Sequence, residues 1–205
     1  MSVKVKICGI TTLDDATAAT SYGADMLGFI FYTKSARYIA PAAAKSIIAK
    51  LPPSVTTVGV FVDAPVDEVN AIVKQTGINV VQLHGKESPE ECARVENAKV
   101  VKAFRVSDKA SIAKIDRYST WANLLDTYVK GTHGGTGETF DWKIAVEAKK
   151  YGPLILSGGL TPDNISEAVR TVRPYAVDVS SGVESSPGVK VHELIKQFIE
   201  RAKSS

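Results

Sequence analysis

The chain alternates short apolar runs with longer stretches in which apolar and polar residues are mixed. The short runs are rich in aliphatic and β-branched residues and are nearly continuous, which is typical of parallel strands buried on both faces. The predicted strands run from Val3 to Ile7, Met26 to Phe31, Thr56 to Val62, Asn79 to Leu83, Lys99 to Phe104, Ala122 to Leu125, Pro153 to Leu156 and Ala176 to Val179. A predicted helix follows each strand: from near Leu13, then Pro41 to Lys50, Val66 to Thr76, Pro89 to Glu96, Asp108 to Ile115, Asp141 to Lys150, Pro162 to Val172 and Val191 to Lys203.

Several predicted helices carry residues that favour a helix end. Asp14 and Asp15 lie at the start of the first helix, where the helix dipole is positive. Pro41 suits a first helical turn, and Gly77 suits a C-cap because it tolerates a left-handed backbone. Thr161 is the candidate N-cap of the seventh helix. These signals support the alternation of strands and helices.

Strict alternation of strands and helices predicts a parallel sheet. Eight strand–helix units predict an α/β fold in which the sheet closes into a single (β/α)₈ (TIM) barrel, and we expect residues 1–205 to form one domain. The alternative is an open, doubly wound sheet, which typically has a glycine-rich GxGxxG turn after its first strand. The first predicted turn, Cys8 to Thr11, lacks that pattern, so the barrel is favoured.

Composition excludes several classes of function. Hydrophobic residues make up 44% and charged residues 23%, and the net charge of +3 is too small to indicate nucleic-acid binding. No apolar run is long enough to cross a membrane, and the N-terminus does not resemble a signal peptide. Cys8 and Cys92 lack metal-ligand or disulfide-scaffold spacing, and His84, His133 and His192 are scattered. We therefore expect a cytoplasmic protein with reduced thiols and without a metal or membrane.

The active site of a barrel of this class lies at the carboxyl ends of its strands. Reactive residues end several predicted strands or follow them closely: Cys8, Arg37, His84, Asp126, Ser157, Ser180 and Ser181. Each also has a structural interpretation, because Cys8 is compatible with a small buried hydrophobe and Asp126 with a helix cap. His84 is equally compatible with a packed histidine, and Arg37 with a solvated loop charge.

Two strand ends have the composition of a phosphate site. Gly158 and Gly159 follow the seventh strand and let backbone amides approach a ligand closely. Ser180, Ser181 and Gly182 follow the eighth strand and are predicted to open a short helix with a positive N-terminus. For either stretch alone, the alternative to phosphate binding is that the glycines only form a tight turn between a strand and a helix. Together, at the seventh and eighth units, they favour phosphate binding.

Strand geometry places two further charges beneath this rim. Side chains alternate along a strand, so Lys6 faces inward if Cys8 does, and Asp178 faces inward if Ser180 does. The first and eighth strands are neighbours in a closed barrel. We therefore predict that Lys6 and Asp178 form an ion pair, because a lone buried lysine is costly. The ammonium is expected to favour the thiolate of Cys8.

The order of short motifs resembles the phosphoribosylanthranilate isomerase family across essentially the whole chain. The motifs are Lys6 to Thr11, Gly28 to Tyr32, Ser35 to Ile39, Val58 to Val62, Val81 to Gly85, Leu124 to Asp126, Gly134 to Gly137, Phe140 to Trp142, Leu156 to Leu160 and Val177 to Glu184. The resemblance implies an Amadori rearrangement of a small phosphoribosyl substrate without a cofactor. It assigns Cys8 as general base, Asp126 as general acid and Arg37 as the partner of the anthranilate carboxylate.

We expect His84 and Asp178 to contact the substrate as well, in a monomer or homodimer. Two rival interpretations remain open at this point. Other phosphosugar barrels, such as a pentose-phosphate epimerase or indole-glycerol-phosphate synthase, need a metal-binding His/Asp set or a catalytic lysine at strand ends, and neither pattern is found. A barrel that only binds a phosphorylated ligand would keep the phosphate glycines without needing both Cys8 and Asp126.

Overall fold

A computed structural model describes residues 2–127 and 141–205 of the chain. Eight parallel strands pair in chain order, and the eighth pairs with the first to close a barrel. The strands are β1 Lys4–Cys8, β2 Met26–Ile30, β3 Thr56–Phe61, β4 Val80–Leu83, β5 Lys99–Val106, β6 Ala122–Thr127, β7 Leu154–Leu156 and β8 Ala176–Val179. The predicted (β/α)₈ barrel is confirmed, and each strand lies within two residues of its predicted ends.

Helices follow most strands and cover the outside of the barrel. In the described part of the chain they are α1 Leu13–Ser21, α2 Pro41–Ile48, α3 Val66–Thr76, α4 Pro89–Ala93, α5 Trp142–Ala148, α6 Ile165–Val172 and α7 His192–Lys203. Gly77 closes α3 with a left-handed φ of 73°, as the sequence predicts. No helix among these residues is both long and apolar enough to cross a bilayer.

Three helix predictions are wrong in detail. The helix after β4 ends at Ala93 rather than at Glu96. The segment after β5 forms two short 3₁₀ turns, Lys109–Ile112 and Ile115–Arg117, in place of one α-helix. Asp108 and Ser111 cap each other at the N-terminus of the first turn. The helix after β7 begins at Ile165 rather than Pro162.

The late start of α6 has a local cause. The Asn164 side chain accepts a hydrogen bond from the Thr161 amide at 2.9 Å and donates one to the Gly159 carbonyl oxygen at 2.9 Å. Asn164 therefore folds the segment between residues 161 and 164 into a turn before the helix starts. Thr161, the predicted N-cap, lies at the beginning of that turn, and Asn164 takes the N-cap position.

Alternation along the strands separates two hydrophobic clusters. The larger one lies between the strands and the helices, and it includes Ile7, Phe104 and Val177. The smaller one fills the barrel interior, and its members are Met26, Val58, Val80, Val101, Ala103, Ala122, Leu124, Ile155 and Ala176. Toward the carboxyl ends of the strands the inward positions become polar. The interior is thus an apolar base below a polar mouth.

The segment after β8 departs from the simple barrel pattern. A single 3₁₀ turn, Ser181–Val183, stands where the sequence predicts a short helix. It leads into a small antiparallel hairpin of Glu184–Ser186 and Val189–Lys190, which the hydrophobic pattern does not predict. This hairpin reaches the loop after β2, because a Cβ on Gly188 would lie 3.0 Å from the Ala36 carbonyl oxygen. The hairpin therefore adds a contact between distant loops at the mouth.

Candidate active site

A cavity of about 450 Å³ opens at the carboxyl ends of the strands. The residues that the sequence analysis assigns to a site all line it: Cys8, Arg37, His84, Asp126, Gly158, Gly159, Asp178, Ser180, Ser181 and Gly182. They come from strand ends or loops that are far apart in the sequence, and the barrel brings them to one mouth. Gln82 and Ser157 also line this cavity.

Cys8 and its neighbours form the first part of the site. Lys6 and Asp178 are register partners on β1 and β8, and the Lys6 ammonium donates to the Asp178 carboxylate at 2.9 Å. The predicted ion pair beneath Cys8 is confirmed. Burial lowers the pKa of Lys6, but the charges of Asp178 and Cys8 beside it raise that pKa overall. Lys6 is therefore a fixed positive charge inside the barrel.

The effect of that charge on Cys8 is smaller than expected. Burial raises the pKa of the Cys8 thiol, and the positive charge of Lys6 offsets only part of this rise. Asp178 also raises the pKa, and the net shift is upward from the ordinary value of 9.0. In this structure, Cys8 is held as a thiol whose deprotonation is assisted by Lys6 but disfavoured by its buried position.

Asp126 ends β6 and faces the same cavity. The Nε2 atom of His84 lies 3.2 Å from the Oδ2 atom of Asp126, and the Nε2 amide of Gln82 lies 2.9 Å from the Nδ1 atom of His84. If Gln82 donates to Nδ1, the proton of the neutral ring is on Nε2 and points to Asp126. Gln82, which the sequence analysis did not single out, thereby orients His84 toward Asp126. The sequence did contain a signal for Gln82. It lies two positions before His84, so both side chains face the same, inward side of the barrel.

The loops after β7 and β8 form a glycine-lined wall of the cavity. Gly158 and Gly159 have positive φ angles of 86° and 64°, which favour glycine. A Cβ on Gly158 would lie 2.3 Å from the Thr127 amide nitrogen, and one on Gly182 would lie 2.0 Å from the Leu160 carbonyl oxygen. These loops thus touch neighbouring backbone at positions where a side chain would not fit.

Backbone donors are available along that wall. Within residues 2–127 and 141–205, no residue accepts a hydrogen bond from the amides of Gly158, Gly159 and Gly182. The Ser180 hydroxyl oxygen is buried and has no hydrogen-bond partner in this part of the chain. Unpaired donors beside a cavity suit an anionic ligand with several acceptor oxygens. Ser157 instead donates from its hydroxyl group to Asp178 at 3.3 Å.

Arg37 also lines the cavity, from the loop after β2. Its Nε and Nη2 atoms donate to the Glu184 carboxylate at 2.7 to 3.0 Å. The hydrogen bond with Glu184 raises the pKa of Arg37, so the guanidinium is positively charged. Sequence reasoning missed Glu184 as a site residue because 147 positions separate the two side chains. Only the closed barrel places them side by side.

The remaining candidates do not join the site. Cys92 is buried on α4, in the cluster outside the barrel, as its structural interpretation predicts. His192 bonds to Asp15 at 2.9 Å and is partly exposed. His133 and the motif from Gly134 to Gly137 lie outside the described residues. In the described ranges, no cluster of three or more His, Cys, Asp or Glu residues is arranged to hold a metal ion.

Comparison with known proteins gives a consistent result. Residues 5–201 match the family model described as N-(5′-phosphoribosyl)anthranilate (PRA) isomerase. A curated N-(5′-phosphoribosyl)anthranilate isomerase from Geobacter metallireducens is 55% identical over 202 residues, which cover 98% of this chain and 100% of that protein.

Two solved structures agree over nearly the whole chain. Phosphoribosyl anthranilate isomerase from Thermotoga maritima superposes with a TM-score of 0.94 at 45% identity, covering 99% of this chain and 100% of the other. A phosphoribosyl anthranilate isomerase in complex with reduced 1-(o-carboxyphenylamino)-1-deoxyribulose 5-phosphate gives a TM-score of 0.90 at 43% identity, with coverage of 99% and 100%. The chain therefore belongs to the N-(5′-phosphoribosyl)anthranilate isomerase family.

Proposed function

We propose that the protein catalyses the Amadori rearrangement of N-(5′-phosphoribosyl)anthranilate to 1-(o-carboxyphenylamino)-1-deoxyribulose 5-phosphate, a step of tryptophan biosynthesis. One observation carries the proposal. Cys8 and Asp126 face the same cavity, which is also lined by the glycine-rich loops after β7 and β8 and by Arg37. The substrate has a phosphate at one end, a carboxylate at the other and the reacting sugar carbons between them.

Binding is assigned to two groups of residues that line the cavity. The amides of Gly158, Gly159, Ser181 and Gly182 donate to the phosphate oxygens, since these backbone positions approach a ligand without side-chain interference. Arg37 pairs with the anthranilate carboxylate by charge-assisted hydrogen bonds. Anchoring both ends fixes the ribose between the acid and the base, which lowers the entropic part of the barrier.

Asp126 acts first, as the general acid. Opening the furanose requires a proton on the ring oxygen, and Asp126 is the group assigned to supply it. The electron pair of the anthranilate nitrogen forms the double bond to C1′ as the C1′–oxygen bond breaks, which leaves an iminium. His84, which bonds to Asp126, keeps the carboxyl group directed into the cavity.

Cys8 then acts as the general base. The iminium acidifies the proton on C2′, and the Cys8 thiolate removes it to give an enolamine. Tautomerisation of the enolamine, with a proton returned to C1′, yields the ketone product. Lys6 beneath Cys8 favours the thiolate against the effect of burial, and Asp178 holds Lys6 in place.

The direct test is turnover by the purified protein. We expect the fluorescence of N-(5′-phosphoribosyl)anthranilate to disappear at a rate proportional to enzyme concentration, with the aminoketose as product. Asp126→Asn should lower kcat by about 10²–10⁴-fold, the usual contribution of a positioned acid. An inactive pure protein, or an Asp126→Asn variant with full activity, would refute the proposed function or the proposed acid, respectively.

Three accompanying expectations stay predictions. They are a cytoplasmic location, a monomeric or homodimeric state, and the absence of nucleic acid and cofactors from the reaction. Static light scattering on the purified protein distinguishes monomer from dimer, and turnover in buffer with a chelator tests the independence from metal ions.

A further inference from the structure

The Arg37 side chain is held by the hairpin after β8 as well as by its own loop. Its Nε atom lies 2.9 and 3.0 Å from the two oxygens of Glu184, and Nη2 lies 2.7 Å from one of them. This geometry occupies the side edge of the planar guanidinium. The end edge, formed by Nη1 and the second proton of Nη2, stays able to donate two parallel hydrogen bonds to another carboxylate.

Glu184 has a second cationic partner. The Lys190 ammonium donates to the Glu184 carboxylate at 2.8 Å and to the Ser180 carbonyl oxygen at 3.1 Å. The side chains of Glu184 and Lys190 are 3% and 0% exposed, so this pair is shielded from water. Glu184 therefore connects Arg37 to Lys190, and Lys190 connects the cluster to the loop proposed to bind phosphate.

The charges in this cluster do not cancel. Burial raises the pKa of Glu184, but the hydrogen bonds from Arg37 and Lys190 lower it overall, which keeps the carboxylate ionised. Two cations surround one anion, which leaves one net positive charge beside the cavity. Without the anion, Arg37 and Lys190 would repel each other, and the Arg37 side chain would lose its fixed orientation.

From these contacts we propose, on the basis of the proposed function, that Glu184 is a positioning residue that aims the Arg37 guanidinium end-on at the substrate carboxylate. Lys190 contributes in two ways: its charge balances that of the Glu184 carboxylate, and its ammonium group links Glu184 to the Ser180 carbonyl oxygen. The hairpin thus sets the distance between the two anionic anchors. This arrangement selects substrates that carry both a phosphate and a carboxylate on the aromatic ring.

A pair of ligands isolates this role. The first is the reduced rearrangement product, which has both a phosphate and a ring carboxylate. The second is the same molecule made from aniline, which lacks the carboxylate. In Glu184→Gln one acceptor oxygen is replaced by an NH₂ group that faces cations. We expect the affinity for the first ligand to fall roughly 10-fold or more, as for a lost charge-assisted contact, and that for the second by about 2-fold or less.

Kinetics should show the same selectivity. Glu184→Gln is expected to raise KM for the phosphoribosylanthranilate substrate by a similar factor with a smaller change in kcat, as for contacts made alike in the ground and transition states. Glu184→Asp keeps the negative charge and is expected to recover part of the lost affinity. Glu200→Gln, an exposed glutamate on α7, is the matched control and should match the wild type.

The outcomes separate the inference from the proposed function. Equal loss of affinity for both ligands in Glu184→Gln would overturn the positioning role and indicate a general structural role. If that variant does not fold, Glu184→Asp takes its place, and equal losses for both ligands there have the same meaning. A wild-type protein that binds neither ligand would overturn the proposed function together with this inference.

Discussion

Two buried lysine–carboxylate pairs lie on opposite faces of the barrel wall. Lys6 and Asp178 face the interior, directly below Cys8, and their nitrogen and oxygen atoms are 2.9 Å apart. Lys102 and Glu87 lie on the outer side, 3.0 Å apart, and Lys102 also donates to the carbonyl oxygens of Leu83, Gly85 and Ala103. The two lysines are buried to the same degree, at 1% and 2% exposure.

The difference lies in what each ammonium faces. Lys102 is surrounded by backbone oxygens, so it fixes the loop after β4 and has no direction left for a ligand. Lys6 has the Asp178 carboxylate and the Cys8 thiol as neighbours, so its charge acts on the thiol proposed to be the base. Burial alone therefore does not identify a functional charge. What distinguishes the two lysines is the side of the barrel wall that each side chain faces, and this side is set by the position of the residue along its strand.

Replacing the two cysteines is expected to give the largest difference in activity between the inner and outer sides of the barrel wall. Cys8 faces the cavity and Cys92 lies in the outer cluster, and both are buried. Cys8→Ala is expected to lower kcat by about 10²–10⁴-fold, because the general base is lost. Cys92→Ala is expected to leave kcat unchanged and to cost at most about 1–2 kcal/mol of unfolding free energy for the small cavity. Steady-state kinetics and urea unfolding measure both, and full activity in Cys8→Ala would contradict the assignment.

The lysines give the second test. Lys6→Met and Lys102→Met each leave a buried carboxylate unpaired, so each is expected to lose roughly 3–5 kcal/mol of stability. Lys6→Met should also lose activity by about 10-fold for each unit that the pKa of Cys8 rises. Lys102→Met should keep the wild-type kcat per folded molecule. Denaturation and active-site titration separate the two effects, and equal kcat in both variants would show that Lys6 is structural only.

The smallest expected effect concerns pH: the two buried thiols should lose their protons at a higher pH than a free thiol does. Burial raises the pKa of Cys92 from 9.0 to about 11, and it raises that of Cys8 above 9.0. The folded state then holds these protons more tightly than the unfolded chain does, so their contribution to stability is complete below about pH 9 and is lost as the pH rises through the folded pKa.

Two measurements follow from these shifted thiols. The ultraviolet absorbance of the thiolate in Cys92→Ala should report the Cys8 titration, and kcat/KM should rise with pH up to that pKa. In Cys8→Ala the remaining thiol should titrate near 11, and the replacement of Cys92 should flatten the loss of stability between pH 9.0 and about 11. A Cys8 that titrates below 9.0 would show that Lys6 outweighs burial.

The sequence was sufficient to predict the barrel and most of the polar residues that line its cavity. The strands were predicted from continuous apolar runs. The prediction that Cys8, Asp126 and the glycines after the seventh and eighth strands lie close together came from the rule that the carboxyl ends of the strands meet at one rim. The Lys6–Asp178 pair followed from parity on neighbouring strands. These inferences depend only on the local pattern of apolar and polar residues and on the order of the strands along the chain, both of which can be read from the sequence.

What the sequence could not predict depends on contacts between distant loops. Arg37 and Glu184 meet only because the hairpin after β8 folds over the loop after β2, and no local pattern marked that hairpin. The sign of the Cys8 pKa shift depends on how completely the thiol is buried, a balance of two opposing effects. The 3₁₀ turns after β5 also differ from the prediction, because the capping box of Asp108 and Ser111 marks where a helix begins and not which kind of helix follows.

The contact of Gly158 with Thr127 has a consequence for the order of events in the reaction. The loop after β7 touches the backbone immediately after Asp126, so the proposed phosphate loop and the proposed acid are packed against each other. A ligand that binds this loop meets an acid already in position, and seating the phosphate need not rearrange β6. In the proposed reaction the phosphate contacts supply affinity, while the position of Asp126 is already set by the packing of this loop against the end of β6.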